Sequence, residues 1–427
     1  MSDKPVRLLS VCTSDSSGGA ARAAYRIHRA VQDLGVDSRM FVKQKGTDDP
    51  TVLTVDDFIP HHALYRGFDW ARNKVKNKWE HYVWGKYPAR EKYFMSDLRS
   101  TDIGGALRKI DYDVLHLHWI NLRFLPLEQL PKDKPIVWTL HDSWPFCGIC
   151  HITHDCMKYK AECGNCPYLH SSMFNDISHQ AWKKKNDIYH KLNLHIITPS
   201  LWLGSCARES SLLSKFPIEV IPNGLDTEIF RPLNDNELTT QILLQKKQFE
   251  GKHILVFGAM QALRDPNKGY DKLKESLSIL SHWGVGKNLA LLVFGSDDVL
   301  TDIPSEISTS NLGVIRNAKE LVSLYSIASV VVVPSYSEVF GQVASEALAC
   351  GTPVVAFRCT GIQEVIQDNC GYLAVPFNAE DFARGILWCI NNNDSGRLSS
   401  HAREHALKSF SLDTVADQYC RYYHSIL

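Results

Sequence analysis

Two glutamates, Glu338 and Glu346, flank the opening of a short helix in the stretch Pro334-Ser-Tyr-Ser-Glu338-Val-Phe340-Gly341-Gln-Val-Ala-Ser-Glu346-Ala-Leu-Ala-Cys-Gly351-Thr-Pro353. The valine run Val330–Val333 reads as a strand feeding the loop. The helix should begin near Gly341 and stop at Gly351, with Pro353 just beyond it. Glu338 lies in the loop and Glu346 about two turns into the helix, so they cannot bind one atom. The free N–H groups of a helix N-terminus suit a diphosphate. A loop carboxylate can accept hydrogen bonds from sugar hydroxyls, and one farther along the helix can take both hydroxyls of a ribose. A single glutamate here would more often cap or solvate the helix. The pair, with Phe340 and Gly341 at the helix opening, points to a nucleotide-sugar donor.

Other residues could serve the same chemistry. Ser16-Ser17-Gly18-Gly19-Ala20 follows the first strand and opens a helix, where two glycines let the backbone approach a phosphate. Lys268, in Pro266-Asn-Lys-Gly269, could neutralise a leaving diphosphate, although most lysines in loops are merely solvated. His118 ends the strand Val114–Leu117, whereas His116, inside it, reads as a core or supporting histidine. His141 and Asp142 end the next strand and could touch the acceptor or the diphosphate, and Asp142 is a conceivable base.

A third group is rich in sulfur. Cys150, Cys156, Cys163 and Cys166 are spaced C-x5-C-x6-C-x2-C, and Cys163-Gly-Asn-Cys166-Pro has the turn of a zinc knuckle. Four thiolates suit a structural zinc, with His151, His154 and Cys147 as further candidate ligands. The alternatives are free cysteines in a loop or, less favoured, an iron–sulfur cluster. A disulfide is disfavoured in a reducing compartment.

Short β-branched runs alternate with helical patterns throughout. Val6–Val11, Val114–Leu117, Ile136–Leu140 and Ile196–Thr198 read as strands in the first half; Ile254–Phe257, Leu291–Phe294, Val330–Val333 and Val354–Ala356 repeat the pattern in the second. Helical stretches such as Ala20–Leu34, Lys319–Ile327 and Val343–Ala349 separate them. Strands that are apolar without alternation belong in parallel sheets covered on both faces. The expectation is α/β architecture with two doubly wound domains. The break falls at Pro222-Asn-Gly224 and Pro232, giving domains over 1–230 and 231–408 and a final helix over 409–427. Ligands of such sheets bind beyond the carboxyl ends of the strands, here expected in an interdomain cleft. Residues 57–99, rich in Trp, Tyr, Lys and Arg, fit neither template and read as a packed helical excursion or an insertion facing an acceptor or membrane.

The bulk numbers agree with a two-domain globular protein of 427 residues. Lys+Arg and Asp+Glu balance at 47 each, leaving no electrostatic footprint for nucleic acid beyond the small run Lys183–Lys185. The start of the chain lacks an apolar secretory run, and no stretch reads as membrane-spanning. A cytoplasmic protein is expected, with any membrane contact peripheral.

Glu338 and Glu346 match the E-x7-E signature, and on it the chain resembles retaining glycosyltransferases of the GT-B fold, family 4 in particular. The resemblance extends over the Gly18-Gly19 loop, His118, His141-Asp142, the IPNGLDTEIFRP segment and Lys268-Gly269. WTLHDSWPFCGIC followed by CGNCP is similar to bacterial exopolysaccharide enzymes of the colanic-acid type. The resemblance implies two Rossmann-like domains, a first on the acceptor side and a second binding the nucleotide sugar, with the last helix crossing back to the first. It implies that Glu338 contacts the donor sugar, Glu346 the ribose, and that His118 lies beside the anomeric carbon. It implies front-face attack, in which the leaving phosphate takes the acceptor's proton, without a catalytic metal. The family usually has an arginine after the glycine ending the strand before Lys268. Here Ala259 follows Gly258, and Arg264 is the stand-in. The implied activity is hexosyl transfer from a nucleotide-diphosphate sugar to a glycan or polyprenyl-linked acceptor in surface polysaccharide synthesis. An epimerase, a phosphorylase or a non-catalytic nucleotide-sugar binder are the rivals.

Overall fold

The computed structural model describes residues 5–58, 85–87 and 103–427, so most of the Trp- and Tyr-rich stretch lies outside the described residues. The chain divides into two compact units, one of Met1–Ile221 with Ala416–Leu427, the other of Pro222–Val415.

The first unit contains strands β1 (Arg7–Ser14), β2 (Asp37–Gln44), β3 (Val52–Thr54), β4 (Val114–Leu117), β5 (Pro135–Thr139), β6 (Asn193–Thr198) and β7 (Ile218–Val220). They form one parallel sheet in the order β3-β2-β1-β4-β5-β6-β7. The second holds β8 (His253–Gly258), β9 (Leu289–Phe294), β10 (Ser308–Asn311), β11 (Val330–Val333), β12 (Val354–Phe357) and β13 (Gly371–Ala374), parallel in the order β10-β9-β8-β11-β12-β13. The valine run explains itself: Val331 and Val333 enter one core cluster and Val330 and Val332 another. Successive side chains of a strand face opposite ways, so a strand with helices on both faces must be apolar at every position.

The order of strands reverses between β1 and β4 in the first sheet and between β8 and β11 in the second. At such a switch point the outgoing connections part to opposite faces and leave a crevice at the strands' carboxyl ends.

The segment Pro222–Phe230, expected to close the first domain, belongs to the second unit. Leu225 exchanges backbone hydrogen bonds with Phe410 and Leu412, at 2.7 and 3.0 Å. The final helix, Leu412–Ser425, begins in the second unit and ends in the first. In the first unit, its Tyr423 hydroxyl meets His116 Nδ1 at 2.7 Å and its Tyr419 hydroxyl meets Thr139 Oγ1 at 3.0 Å. Among the described residues no helix is long and apolar enough to cross a membrane.

Candidate active site

The switch point of the second sheet is where the sequence-derived residues converge. After β8 the chain makes the turn Pro266–Lys268, capped by the Asp265 side chain accepting from the Asn267 N–H at 3.0 Å. Gly269 follows in the left-handed region, φ 69°. A Cβ there would stand 1.9 Å from the Pro334 carbonyl, so only glycine allows this loop to lie on the one leaving β11. Two further bonds clamp the loops: Asn267 Nδ2 donates to the Ser337 carbonyl (2.8 Å) and the Tyr336 N–H to the Asn267 carbonyl (2.9 Å).

The clamp delivers Lys268 Nζ to Glu338 Oε1 at 2.7 Å, with both side chains about four-fifths buried. Ser335 Oγ donates to the same oxygen at 2.9 Å. The Glu338 backbone is fixed as well, its N–H donating to Thr360 Oγ1 (3.0 Å) and its carbonyl accepting from the Gly361 N–H (2.9 Å). Burial disfavours the charge of Lys268, but the charge and hydrogen bond of Glu338 outweigh it and hold its pKa above the ordinary lysine value.

Gly341, with φ 98°, starts the helix Gln342–Ala349. Glu346 is almost wholly buried in it, 3.4 Å from the Tyr325 hydroxyl. The Phe340 ring packs edge-on to Phe410 in the core, so any ligand contact from this position falls to its backbone. Arg264 is mostly exposed and ion-paired to Asp298.

The first sheet's switch point holds the other set. Gly18, φ 91°, precedes the helix Gly19–Asp33, and Ser14 Oγ accepts from the N–H groups of Ser16 and Ser17. At the end of β4, the His118 N–H donates to the Val11 carbonyl (2.9 Å), and its Nδ1 lies 3.1 Å from His141 Nε2. The Nε2 of His118 is buried without a hydrogen-bond partner. Burial, then the neighbouring imidazoles, push its pKa well below the usual histidine value. Burial likewise pushes His116 down to about 3 and His141 to about 4. His116 is fully buried, and its Nε2 meets Thr139 Oγ1 at 2.8 Å.

Asp142 engages His151 Nδ1 and accepts from the Trp119 indole N–H (2.8 Å) and the Trp144 N–H (2.9 Å). Burial alone would raise its pKa, but the charge and hydrogen bond of His151, with those donors, hold it below the usual carboxylate value. The His151 contact escaped sequence reasoning, which counted that histidine as a spare metal ligand.

Cys147, Cys150, Cys163 and Cys166 are buried and Cys156 is half-buried; all five are free thiols. Burial raises the pKa of Cys163 to about 11 even though its sulfur accepts the Gly148 N–H at 3.2 Å. Among the described residues no group of three or more His, Cys, Asp or Glu side chains is arranged to hold a metal ion. Lys185, read as part of a surface basic run, is buried instead, its ammonium donating to the carbonyls of Trp144, Cys147 and Gly148 at 2.5, 2.8 and 2.9 Å.

Two family models match the chain, Glycosyltransferase Family 4 over residues 17–229 and Glycosyl transferases group 1 over residues 244–407. The chain belongs to the glycosyltransferases of the GT-B class. It is 25% identical over 272 residues to the colanic acid biosynthesis glycosyl transferase WcaC of Escherichia coli K12, covering 61% of this chain and 62% of that one. It is 32% identical over 217 residues to a D-inositol 3-phosphate glycosyltransferase of Nocardiopsis dassonvillei, covering 47% and 50%. The chain thus spans between half and 62% of the length of these relatives. HepE of Anabaena, solved with UDP-glucose, superposes with a TM-score of 0.63 at 16% identity over 98% of this chain and 99% of that one. Sucrose-phosphate synthase of Thermosynechococcus elongatus does so with 0.62 at 18% over 98% of both. At these identities the likeness is one of fold.

Proposed function

We propose that this chain is a retaining glycosyltransferase that moves a hexosyl group from a nucleotide-diphosphate sugar to a glycan or polyprenyl-linked acceptor in surface polysaccharide synthesis, acting at the inner face of the membrane or in the cytoplasm. The observation that carries the reading is the Lys268–Glu338 pair at the second sheet's switch point, beside a helix that starts at Gly341 and bears the buried Glu346. Lys268 and the helix N–H groups stabilise charge that grows on the diphosphate as the glycosidic bond breaks. Gly18 and Gly19 add backbone donors on the phosphate side. Glu338 holds the donor sugar, Glu346 the ribose and His118 the neighbourhood of the anomeric carbon, while His141 serves the acceptor side. The acceptor oxygen attacks the face from which the diphosphate departs. The leaving phosphate oxygen takes the proton, and no metal enters the scheme. The relationship to a colanic acid enzyme supports the polysaccharide role, and HepE's complex with UDP-glucose supports the donor class.

The test is a panel of UDP- and GDP-sugars, following nucleoside diphosphate release and the anomeric configuration of the first-formed product by proton NMR. A product with the donor's configuration supports the reading, and an inverted one refutes retention. A structural zinc at Cys150, Cys156, Cys163 and Cys166 stays a proposal of the spacing alone. Metal analysis of the purified chain decides it: one zinc per chain supports it and none removes it.

A further inference from the structure

The loop that leaves β12 holds a residue with a strained backbone. The Cys359 N–H donates to the Phe357 carbonyl at 2.8 Å, closing a three-residue turn at the end of the strand. Thr360 follows at φ 49° and ψ −152°. That region is occupied almost wholly by glycine, and a β-branched residue in it is a genuine outlier. Such strain persists only where the surrounding structure enforces it, and it gathers at working sites.

What enforces it here is the loop that carries Glu338. Thr360 Oγ1 accepts the Glu338 N–H at 3.0 Å, and the next amide, that of Gly361, donates to the Glu338 carbonyl at 2.9 Å. Gln363 Nε2 donates to the Thr360 carbonyl at 3.0 Å. The turn Gly361–Glu364 sets the buried Ile362 against the start of the helix that bears Glu346: a Cβ on Gly341 would stand 3.0 Å from Ile362 Cγ1. Glycine at position 360 would take this backbone without strain but has no oxygen to offer. The threonine hydroxyl is therefore an acceptor kept at a conformational cost, and its hydrogen bond goes to the amide of Glu338. With both backbone groups of Glu338 anchored, its carboxylate is delivered to Lys268 and Ser335 from a fixed stem.

We propose that Thr360 is a positioning residue that sets the Glu338 carboxylate for the hexosyl group of the donor, its hydroxyl accepting the Glu338 N–H from a strained backbone. The proposal rests on the transferase reading, in which Glu338 holds the donor sugar. Loss of the hydroxyl should then weaken recognition of the sugar and leave that of the nucleoside diphosphate intact.

Calorimetric titration of the full chain tests this, with UDP, GDP, UDP-glucose, UDP-galactose, UDP-N-acetylglucosamine and GDP-mannose as probes. For the sugar nucleotide that the wild type binds most tightly, Thr360→Gly and Thr360→Ala should each raise Kd roughly tenfold, while Kd for the parent diphosphate stays within about twofold. Thr360→Ser keeps the oxygen and should bind both as the wild type does. Added to Glu338→Ala, Thr360→Gly should weaken sugar-nucleotide binding by less than about twofold, because it acts through Glu338. In urea melts Thr360→Gly should be more stable than Thr360→Ala, since only glycine relaxes at a positive φ; the reverse order overturns the proposal. Unchanged sugar-nucleotide binding in both variants, where Glu338→Ala loses it, overturns the proposal with the transferase reading intact. So does an equal loss for the diphosphate, which marks a role in shaping the loop alone. A wild type that binds none of the four sugar nucleotides, or a Glu338→Ala variant that binds them as the wild type does, sinks that reading and the proposal together.

Discussion

At the scale of the residue, the Lys268–Glu338 pair carries most of the argument. A lysine brought into a four-fifths buried position needs a counter-charge, and Glu338 supplies it. Glu338→Gln should lower kcat roughly 10²–10³-fold, the usual effect of losing one positioned group that stabilises transition-state charge. Lys268→Ala should do the same, and the double variant should fall far short of the product, because the two act as one unit. The pair should also add stability, roughly 1–2 kcal/mol for a site between surface and core. The pKa of Lys268 is raised on folding, so its contribution is complete below the unfolded lysine value and disappears as pH rises through the raised one. Urea melts of wild type and Glu338→Gln should therefore differ by a constant amount from pH 7 to 9 and converge only at higher pH.

At the scale of the element, the site depends on loops that lie on one another, and Gly269 is the point of closest approach. Gly269→Ala forces a Cβ onto the Pro334 carbonyl at a left-handed φ. It should cost at least about 2 kcal/mol and weaken nucleotide binding, measured by urea melts and calorimetric titration. The shielded histidines of the first unit set its acid limit. Folded pKa values of about 4, 3 and 4 for His28, His116 and His141 lie below the unfolded value. As pH falls below about 6.5 the unfolded chain takes up protons that the folded chain refuses. Stability should drop from pH 7 to 5 by on the order of 1–2 kcal/mol per histidine, and by urea melts a flat profile would contradict it. The central strands were legible in the sequence because burial on both faces leaves an unbroken apolar run. Strand β2 and the edge strands β7 and β10 were not, since their exposed faces carry polar residues, as in the alternation of Ser308–Asn311. Lys268 and Glu338 could each be picked out, but no spacing announces a contact across 70 positions. Asp142 and His151 sit in irregular backbone, where neither helical nor strand period applies, so their contact had no sequence signal.

At the scale of the whole molecule, each unit has its own sheet and its own switch point, and the last helix is shared along the chain. Truncation after Phe410 removes Tyr419 and Tyr423 from Thr139 and His116, and Leu412 from Leu225. It should destabilise the first unit by several kcal/mol through the lost packing and newly unpaired buried groups, read as a lower first transition in calorimetry. The central claim is that a nucleotide sugar binds the second unit at its switch point. The most direct measurement is a thermal-shift screen of nucleoside diphosphates and nucleotide sugars on wild type and Glu346→Ala. A ligand at one hundred times its Kd adds about 2.7 kcal/mol to the state that binds it. One UDP- or GDP-sugar should raise the wild-type melting temperature by several degrees, and Glu346→Ala should lose the shift. No shift in wild type at millimolar ligand, or an equal shift in both proteins, would contradict it.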